Sequence, residues 1–111
     1  MKTSVQKCGI ALALGLAATA AAAETPEKVT VCAACHGADG KAVQPIYPNL
    51  AGQYANYLEH ALHEYKSGKR KNAIMAGQAA QLNEGDIEAL AQYFSQQPSP
   101  LYTPSVHGHA K

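Results

Sequence analysis

The pentapeptide CAACH at residues 32–36 constrains the fold of this chain more than any other feature. It places two thiols two residues apart and adds an imidazole directly after the second. Thiolates and imidazoles are side chains that proteins commonly use to bind metals and metal-containing groups. The chain must therefore fold around whatever Cys32, Cys35 and His36 hold together.

Four interpretations of this motif compete. A dithiol redox site belongs on a strand–helix unit, and the sequence shows no strand pattern. A zinc site usually takes four ligands in two spaced pairs, and no second pair exists. A structural disulfide across two residues closes a small loop and stabilises little. Covalent haem is favoured, because Cys-x-x-Cys-His is the attachment pattern in which two thiols hold one haem and the histidine binds its iron.

The first 23 residues are predicted to be a cleaved secretory signal peptide. Lys2 and Lys7 form a basic start, residues 9–23 form an apolar run, and Ala21 and Ala23 supply the small residues of a cleavage site. The run is too short to cross a bilayer comfortably, which takes about 20 apolar residues. We therefore expect export to the periplasm, where haem of this kind is attached, and no membrane insertion of the mature chain.

The composition of the remaining residues excludes some functions. Without its first 23 residues the chain keeps seven basic and eight acidic side chains, a balance that argues against nucleic-acid binding. It has no Trp and a single Phe. A domain of this size buries little surface by itself, and small domains commonly recruit a metal, disulfides or another staple. A large apolar cofactor in the centre would meet that need.

The limits of the first helix and of the segment after it are predicted from residues that typically begin or end a helix. Thr25 is predicted as the N-cap, Pro26 as the first helical residue and Gly37 as the stop. Residues 37–52 then read as a loop rich in Gly and Pro. A loop of this length in a small domain is usually functional, or it wraps something.

Residues 52–70 give the clearest helical pattern, with Gly68 as the stop and basic residues near the helix end. Residues 72–82 suggest a short turn of helix. The apolar stripe of the long helix has helical spacing and consists of Tyr54, Tyr57, Leu58, Ala61, Leu62 and Tyr65.

The last helix is predicted over residues 83–97, with Asn83 and Asp86 as a capping box and Pro98 as the stop. Its apolar stripe is Ile87, Leu90, Ala91 and Phe94. Residues 98–111 are predicted to be a flexible tail. With no strand pair in view, we predict an all-α domain over residues 24–97.

A six-coordinate iron needs a second axial ligand. Met75 is the only methionine after the predicted leader, and thioether ligation raises the reduction potential in a way that suits electron transfer. Methionine is more commonly a filler of apolar cores. The other candidates for the position are four histidines: His60, His63, His107 and His109. We expect Met75 to be the ligand.

In four stretches the sequence resembles a bacterial class I c-type cytochrome of the short, monohaem, periplasmic kind. They are CAACHG, YPNLAGQ, YKSGKRKNAIM and DIEALAQYF, and they occur in the family's order over residues 27–97. The resemblance implies a few short helices wrapped around one covalent haem. It implies that Cys32 and Cys35 hold this haem and that His36 and Met75 bind its iron.

Four further residues acquire roles from the resemblance. Pro48 would offer its carbonyl oxygen to the second ring nitrogen of His36, and Leu50 would pack on the haem face. Arg70 would pair with a haem propionate, although a solvated arginine explains it equally well. Asn72 would hydrogen-bond within the loop that carries the second ligand, or near the Met75 sulfur.

The resemblance implies a soluble carrier of single electrons, and not an enzyme, because both axial positions of the iron are filled. Its partners would be a redox donor and acceptor that bind transiently, and the chain would be a monomer or weak dimer. The basic segment KSGKRK would steer acidic partners, or it is an ordinary solvated loop.

An alternative is a haem c subunit of a larger periplasmic or membrane-bound oxidoreductase complex. A haem sensor, a peroxidase and a haem-free thiol protein are further alternatives.

Overall fold

The computed structural model describes residues 24–102, which form four helices and no strand. The all-α prediction is confirmed over these residues. The predicted leader and most of the predicted tail lie outside them. No helix within the described range has the length and apolar character needed to cross a membrane. The helices are α1 (Val29–His36), α2 (Ala55–Ser67), α3 (Ala73–Ala79) and α4 (Glu84–Ser95).

Helix α1 begins at Val29, later than the sequence predicts. The predicted N-cap at Thr25 and first helical residue at Pro26 are wrong. The backbone N–H of Val29 donates to the carbonyl oxygen of Pro26 at 3.0 Å, so a turn precedes the helix. Lys28 occupies the N-cap position, and its ammonium group bonds to a carboxylate in the first turn of α4. A contact between distant segments thus fixes the start of this helix.

Helix α2 follows the predicted pattern, although its buried stripe is shorter. Gly68 ends the helix in the left-handed conformation with φ of 77°, a conformation that favours glycine at a helix end. Tyr54, predicted as the first member of the stripe, is the N-cap residue and is 81% exposed. Tyr57, the second predicted member, is also exposed at 47%, and Leu58 is the one residue of α2 that is buried.

Helix α3 is a complete short helix of seven residues where the sequence suggested a turn. The side-chain oxygen of Asn72 accepts a hydrogen bond from the backbone N–H of Met75 at 2.9 Å. This cap satisfies one of the N–H groups that a helix start leaves without a partner. Asn72 thus fixes the helical turn in which Met75 lies.

Helix α4 confirms the predicted capping box and apolar stripe. The Asn83 side chain accepts from the backbone N–H of Asp86, and the Asp86 carboxylate accepts from that of Asn83, both at 2.9 Å. All four residues of the predicted stripe are buried. The main core contains Val29, Leu58, Leu82, Ile87, Leu90, Ala91 and Phe94.

The packing of the helices centres on α2, whose main contacts are with α3 and α4. Helix α1 joins the core through Val29, and Cys32 packs against it. Tyr93 of α4 donates a hydrogen bond from its hydroxyl to the carbonyl oxygen of Ala38, two residues beyond the end of α1, at 2.9 Å. The last helix is thereby linked to the segment that follows α1, close to the cavity that Cys32 lines.

The predicted loop over residues 37–52 contains neither helix nor strand and lies against α4. The Gly40 carbonyl oxygen accepts from the backbone N–H groups of Leu50 and Ala51, at 2.8 and 3.1 Å. Gly40 has φ of 76°, and a Cβ there would lie 2.8 Å from Cδ1 of Phe94. Only glycine allows this loop to turn so close to the core.

The ion pair between Lys28 and Asp86 makes the stability of the fold depend on pH. Its N–O distance is 2.8 Å, and the hydrogen bond from Lys28 is the main reason that the pKa of the Asp86 carboxyl is lowered. A carboxyl with a lowered folded-state pKa stabilises the fold above its unfolded pKa, and this contribution is lost as pH falls through the folded value.

We expect D86N to be less stable than the parent at pH 7 and to lose less stability on acidification. Thermal unfolding between pH 2 and pH 7 measures both effects. D39N is the matched control, because the pKa of Asp39 is also lowered but its partner Lys41 lies only two residues away. A D86N variant with the parent's full acid dependence would contradict the assignment.

Candidate haem-binding site

A cavity of about 220 Å³ lies between the end of α1, the loop after it and helices α2 to α4. Met75 in α3 and His36 at the end of α1 both line it. Most of the remaining wall is apolar or aromatic. The contribution from α2 is Tyr57, Leu58, Ala61, Leu62 and Tyr65, and that from α4 is Leu90, Ala91 and Phe94.

His36 is buried and held in one orientation. Its Nδ1 lies 2.9 Å from the carbonyl oxygen of Pro48, and His36 is 7% exposed. A carbonyl oxygen can only accept, so Nδ1 carries the proton and Nε2 keeps its lone pair. An imidazole fixed in this way is a ready metal ligand, because the hydrogen bond at one nitrogen sets the tautomer and orientation of the ring.

The two cysteines lie in α1 and are both free thiols. Cys32 lines the cavity, and burial raises the pKa of its thiol. A dithiol redox site needs a lowered thiol pKa, so this environment does not favour that interpretation. No cluster of three or more metal-binding His, Cys, Asp or Glu side chains occurs in residues 24–102, so the described residues give no support to a zinc site.

The structure brings Leu50 and Arg70 to the same cavity as Cys32, His36 and Met75. Leu50 also packs against the core. Asn72 is exposed and acts on the site through its cap on the Met75 backbone. Cys35, on the next turn of α1 from Cys32, is half-buried and is not part of the cavity wall.

Arg70 is held by a carboxylate that the sequence did not single out. Its Nε and Nη2 lie 2.9 and 2.7 Å from Oε2 of Glu64. Its guanidinium carbon lies 5.9 and 5.4 Å from the ring centroids of Tyr57 and Tyr65. These two phenols, and then Glu64, raise the pKa of Arg70 above its ordinary value, so Arg70 is a permanent cation at the cavity wall.

Two of the histidines that competed with Met75 lie away from the cavity. His60 and His63 are on the outer side of α2, where they approach Glu64 and Glu84 at 3.3 and 3.4 Å. Neither lines the cavity. His107 and His109 lie outside the described residues.

The residues around the cavity fit a haem. A buried imidazole with a free Nε2 and a thioether line the same apolar space, as six-coordinate His/Met ligation requires. Cys32 borders this space, and Cys35 follows it in the same helix. An arginine at the edge suits the carboxylates that a haem carries.

Comparison with known proteins agrees with this geometry. The cytochrome c family model matches residues 21–98. Cytochrome c-554(548) of Halomonas halodenitrificans is 46% identical over 79 residues, which cover 68% of this chain and 95% of that protein. The thiosulfate dehydrogenase electron acceptor of Thiomonas intermedia is 39% identical over 97 residues, covering 82% of this chain and 45% of that protein.

Among solved structures, reduced cytochrome c4 from Pseudomonas stutzeri matches with a TM-score of 0.57 and 36% identity, over 60% of this chain and 38% of that one. The chain thus spans nearly all of the Halomonas protein but less than half of the other two. It carries haem c covalently through Cys32 and Cys35, with His36 and Met75 as the iron ligands. The chain belongs to the cytochrome c family and is an electron carrier of the class I type.

Proposed function

We propose that the chain works in the periplasm as a soluble carrier of single electrons between a donor and an acceptor, without an enzymatic reaction of its own. The observation that best supports this is the cavity lined by both His36 and Met75. With both ligands inside one apolar site, the iron offers no open position to oxygen or a substrate. The bound haem supplies the redox chemistry, and the protein sets its potential and access.

The residues around the ligands have supporting roles in this proposal. Pro48 fixes the proximal imidazole by accepting from Nδ1. Leu50 keeps water from the haem face, and Asn72 holds the helical turn that presents Met75. Arg70 offers guanidinium N–H groups to a haem carboxylate at the cavity wall.

Partner recognition in this proposal relies on few free charges. Lys66 bonds to the Leu82 carbonyl oxygen and lies 4.0 Å from Glu84, and Arg70 is paired with Glu64. Within the part of the chain that the structure describes, Lys69 and Lys71 are the exposed cations of this segment without an acidic partner. We therefore expect weak electrostatic steering by the KSGKRK segment and transient complexes.

The location is proposed from the amino terminus. Residues 1–23 combine basic, apolar and small residues in the order of a secretory signal. Attachment of haem to paired thiols outside the cytoplasm is consistent with such a leader.

The test is to express the whole chain in a host that matures c-type haem and to examine the periplasmic fraction. We expect a haem that resists acid-acetone extraction and a ferric far-red band typical of thioether ligation. We also expect a ferrous spectrum that carbon monoxide does not change, because both axial positions are filled. Binding of carbon monoxide would contradict the carrier and support a sensor or enzyme.

The alternative of a permanent subunit is tested in the native organism's periplasmic extract. A free carrier should elute on gel filtration at the size of a monomer or weak dimer. Elution of all the haem protein with a larger oxidoreductase would show that it is a subunit.

A further inference from the structure

We propose that Glu64 is a positioning residue that holds the Arg70 guanidinium at the haem cavity and lowers the reduction potential by offsetting its positive charge. This rests on the proposed function, in that haem occupies the cavity. Glu64 does not line the cavity, so it acts through Arg70 and by its charge.

A backbone hydrogen bond also joins Glu64 and Arg70. After Gly68 ends α2, the chain turns back and the backbone N–H of Arg70 donates to the Glu64 carbonyl oxygen at 3.1 Å. The side chains of the same two residues then meet through two guanidinium nitrogens, at 2.9 and 2.7 Å. Backbone and side chain together fix one arrangement.

The surroundings give the pair more weight than an ordinary surface ion pair. The side chains of Glu64 and Arg70 are 24% and 34% exposed, so solvent screens them only partly. Tyr57 and Tyr65 flank the guanidinium. These rings confine Arg70 to the cavity wall.

The guanidinium retains donors for a second partner. It has five N–H groups, and the described contacts to Glu64 use one on Nε and one on Nη2. The side chains of Tyr57 and Tyr65 are further hydrogen-bond partners of this guanidinium. With one N–H group given to each of them, one N–H group is left for a carboxylate in the cavity. The same cation can therefore contact Glu64 on one side and the haem edge on the other.

The sign of the effect follows from the charges. Ferric haem carries one more positive charge than ferrous haem, so a nearby carboxylate favours the ferric form and lowers the potential. A cation alone does the reverse. Removal of the Glu64 charge leaves Arg70 unbalanced and should raise the potential.

The test compares three variants of the full-length holoprotein by redox titration at pH 8. All variants are titrated at this one pH, because the Nε2 of His60 lies 3.3 Å from the other Glu64 oxygen. We expect E64Q to shift the one-electron equilibrium about threefold to tenfold toward the ferrous form, which is about 28 to 59 mV at 59 mV per tenfold. E64D, which keeps the charge, should stay close to the parent.

The matched control is E59Q, which removes the same charge from the same helix at a residue without an ion pair among the described contacts. It should shift the potential much less. An E64Q shift no larger than that of E59Q, in a variant that keeps its far-red band, would overturn the proposal.

Other outcomes are equally decisive. If E64Q does not mature, R70Q should shift the potential the opposite way, and an unchanged or raised potential would overturn the proposal. A parent protein without covalent haem would refute the proposed function itself, whereas a loaded parent and an unshifted E64Q would refute only the role of Glu64.

Discussion

Replacing Cys32 and Cys35 together by Ala should abolish covalent haem attachment. Both thiols lie in α1 and are free, Cys32 borders the cavity, and no other cysteine follows residue 23. We expect no haem stain on a denaturing gel of the variant and complete extraction by acid-acetone. The yield of folded protein should also fall sharply.

The physical reason for the loss of fold is the apolar cavity. Four of its wall residues also belong to the core, namely Leu58, Leu90, Ala91 and Phe94, so an unfilled site costs the domain much of its packing. The matched control is C8A, which alters the cysteine of the predicted leader and should leave attachment unchanged. Covalent haem in the C32A/C35A variant would refute the attachment site.

Replacing Met75 by Leu should remove the thioether ligand and lower the reduction potential. Leucine has a similar volume and lacks the sulfur, so packing changes little. We expect loss of the ferric far-red band and a fall in potential on the order of 100 mV, within the span of about 0.8 V over which axial ligands set haem potentials. Carbon monoxide should then bind the ferrous protein.

The neighbouring Ile74 supplies the control for this variant. Ile74 is 65% exposed and does not line the cavity, so I74A should keep the band, the potential and the resistance to carbon monoxide. An M75L protein that retains the far-red band would show that another residue is the ligand. Redox titration and absorption spectra of the two variants decide the matter.

The elements that local chemistry determines could be predicted from the sequence. The capping box of Asn83 and Asp86 and the stop at Gly68 are signals carried by a few adjacent residues. The stripe of α4 is buried as its spacing indicates. Each of these features is set by residues within one helix or at its ends, so the local sequence is enough to predict it.

The features that were missed depend on contacts between distant segments. The start of α1 is set where Lys28 reaches Asp86, 58 residues further along the chain. Helix α3 contains a glycine and small residues with little periodicity, so its extent depends on the Asn72 cap and on packing against α2. Propensity alone cannot supply such information.

The same distinction between local signals and contacts across the fold applies to the haem-binding site. The motif at residues 32–36 identifies the attachment group by itself, because covalent haem needs those side chains at that spacing. The proposed role of Glu64 could not be predicted from the sequence. The spacing of Glu64 and Arg70 does not show that the chain turns back after Gly68. A glycine stop followed within two residues by an arginine is at most a weak signal for such a turn.

The lining of one cavity by both His36 and Met75 has a thermodynamic consequence. These residues are 39 positions apart, so only the folded chain brings both of them to a common iron. The methionine bond exists only in the folded chain and raises the potential there. In the cycle that links folding with reduction, the reduced protein must then resist denaturant better than the oxidised protein. Each 59 mV by which folding raises the potential adds about 1.4 kcal/mol to that difference. The free energy of unfolding is therefore larger for the reduced protein than for the oxidised protein.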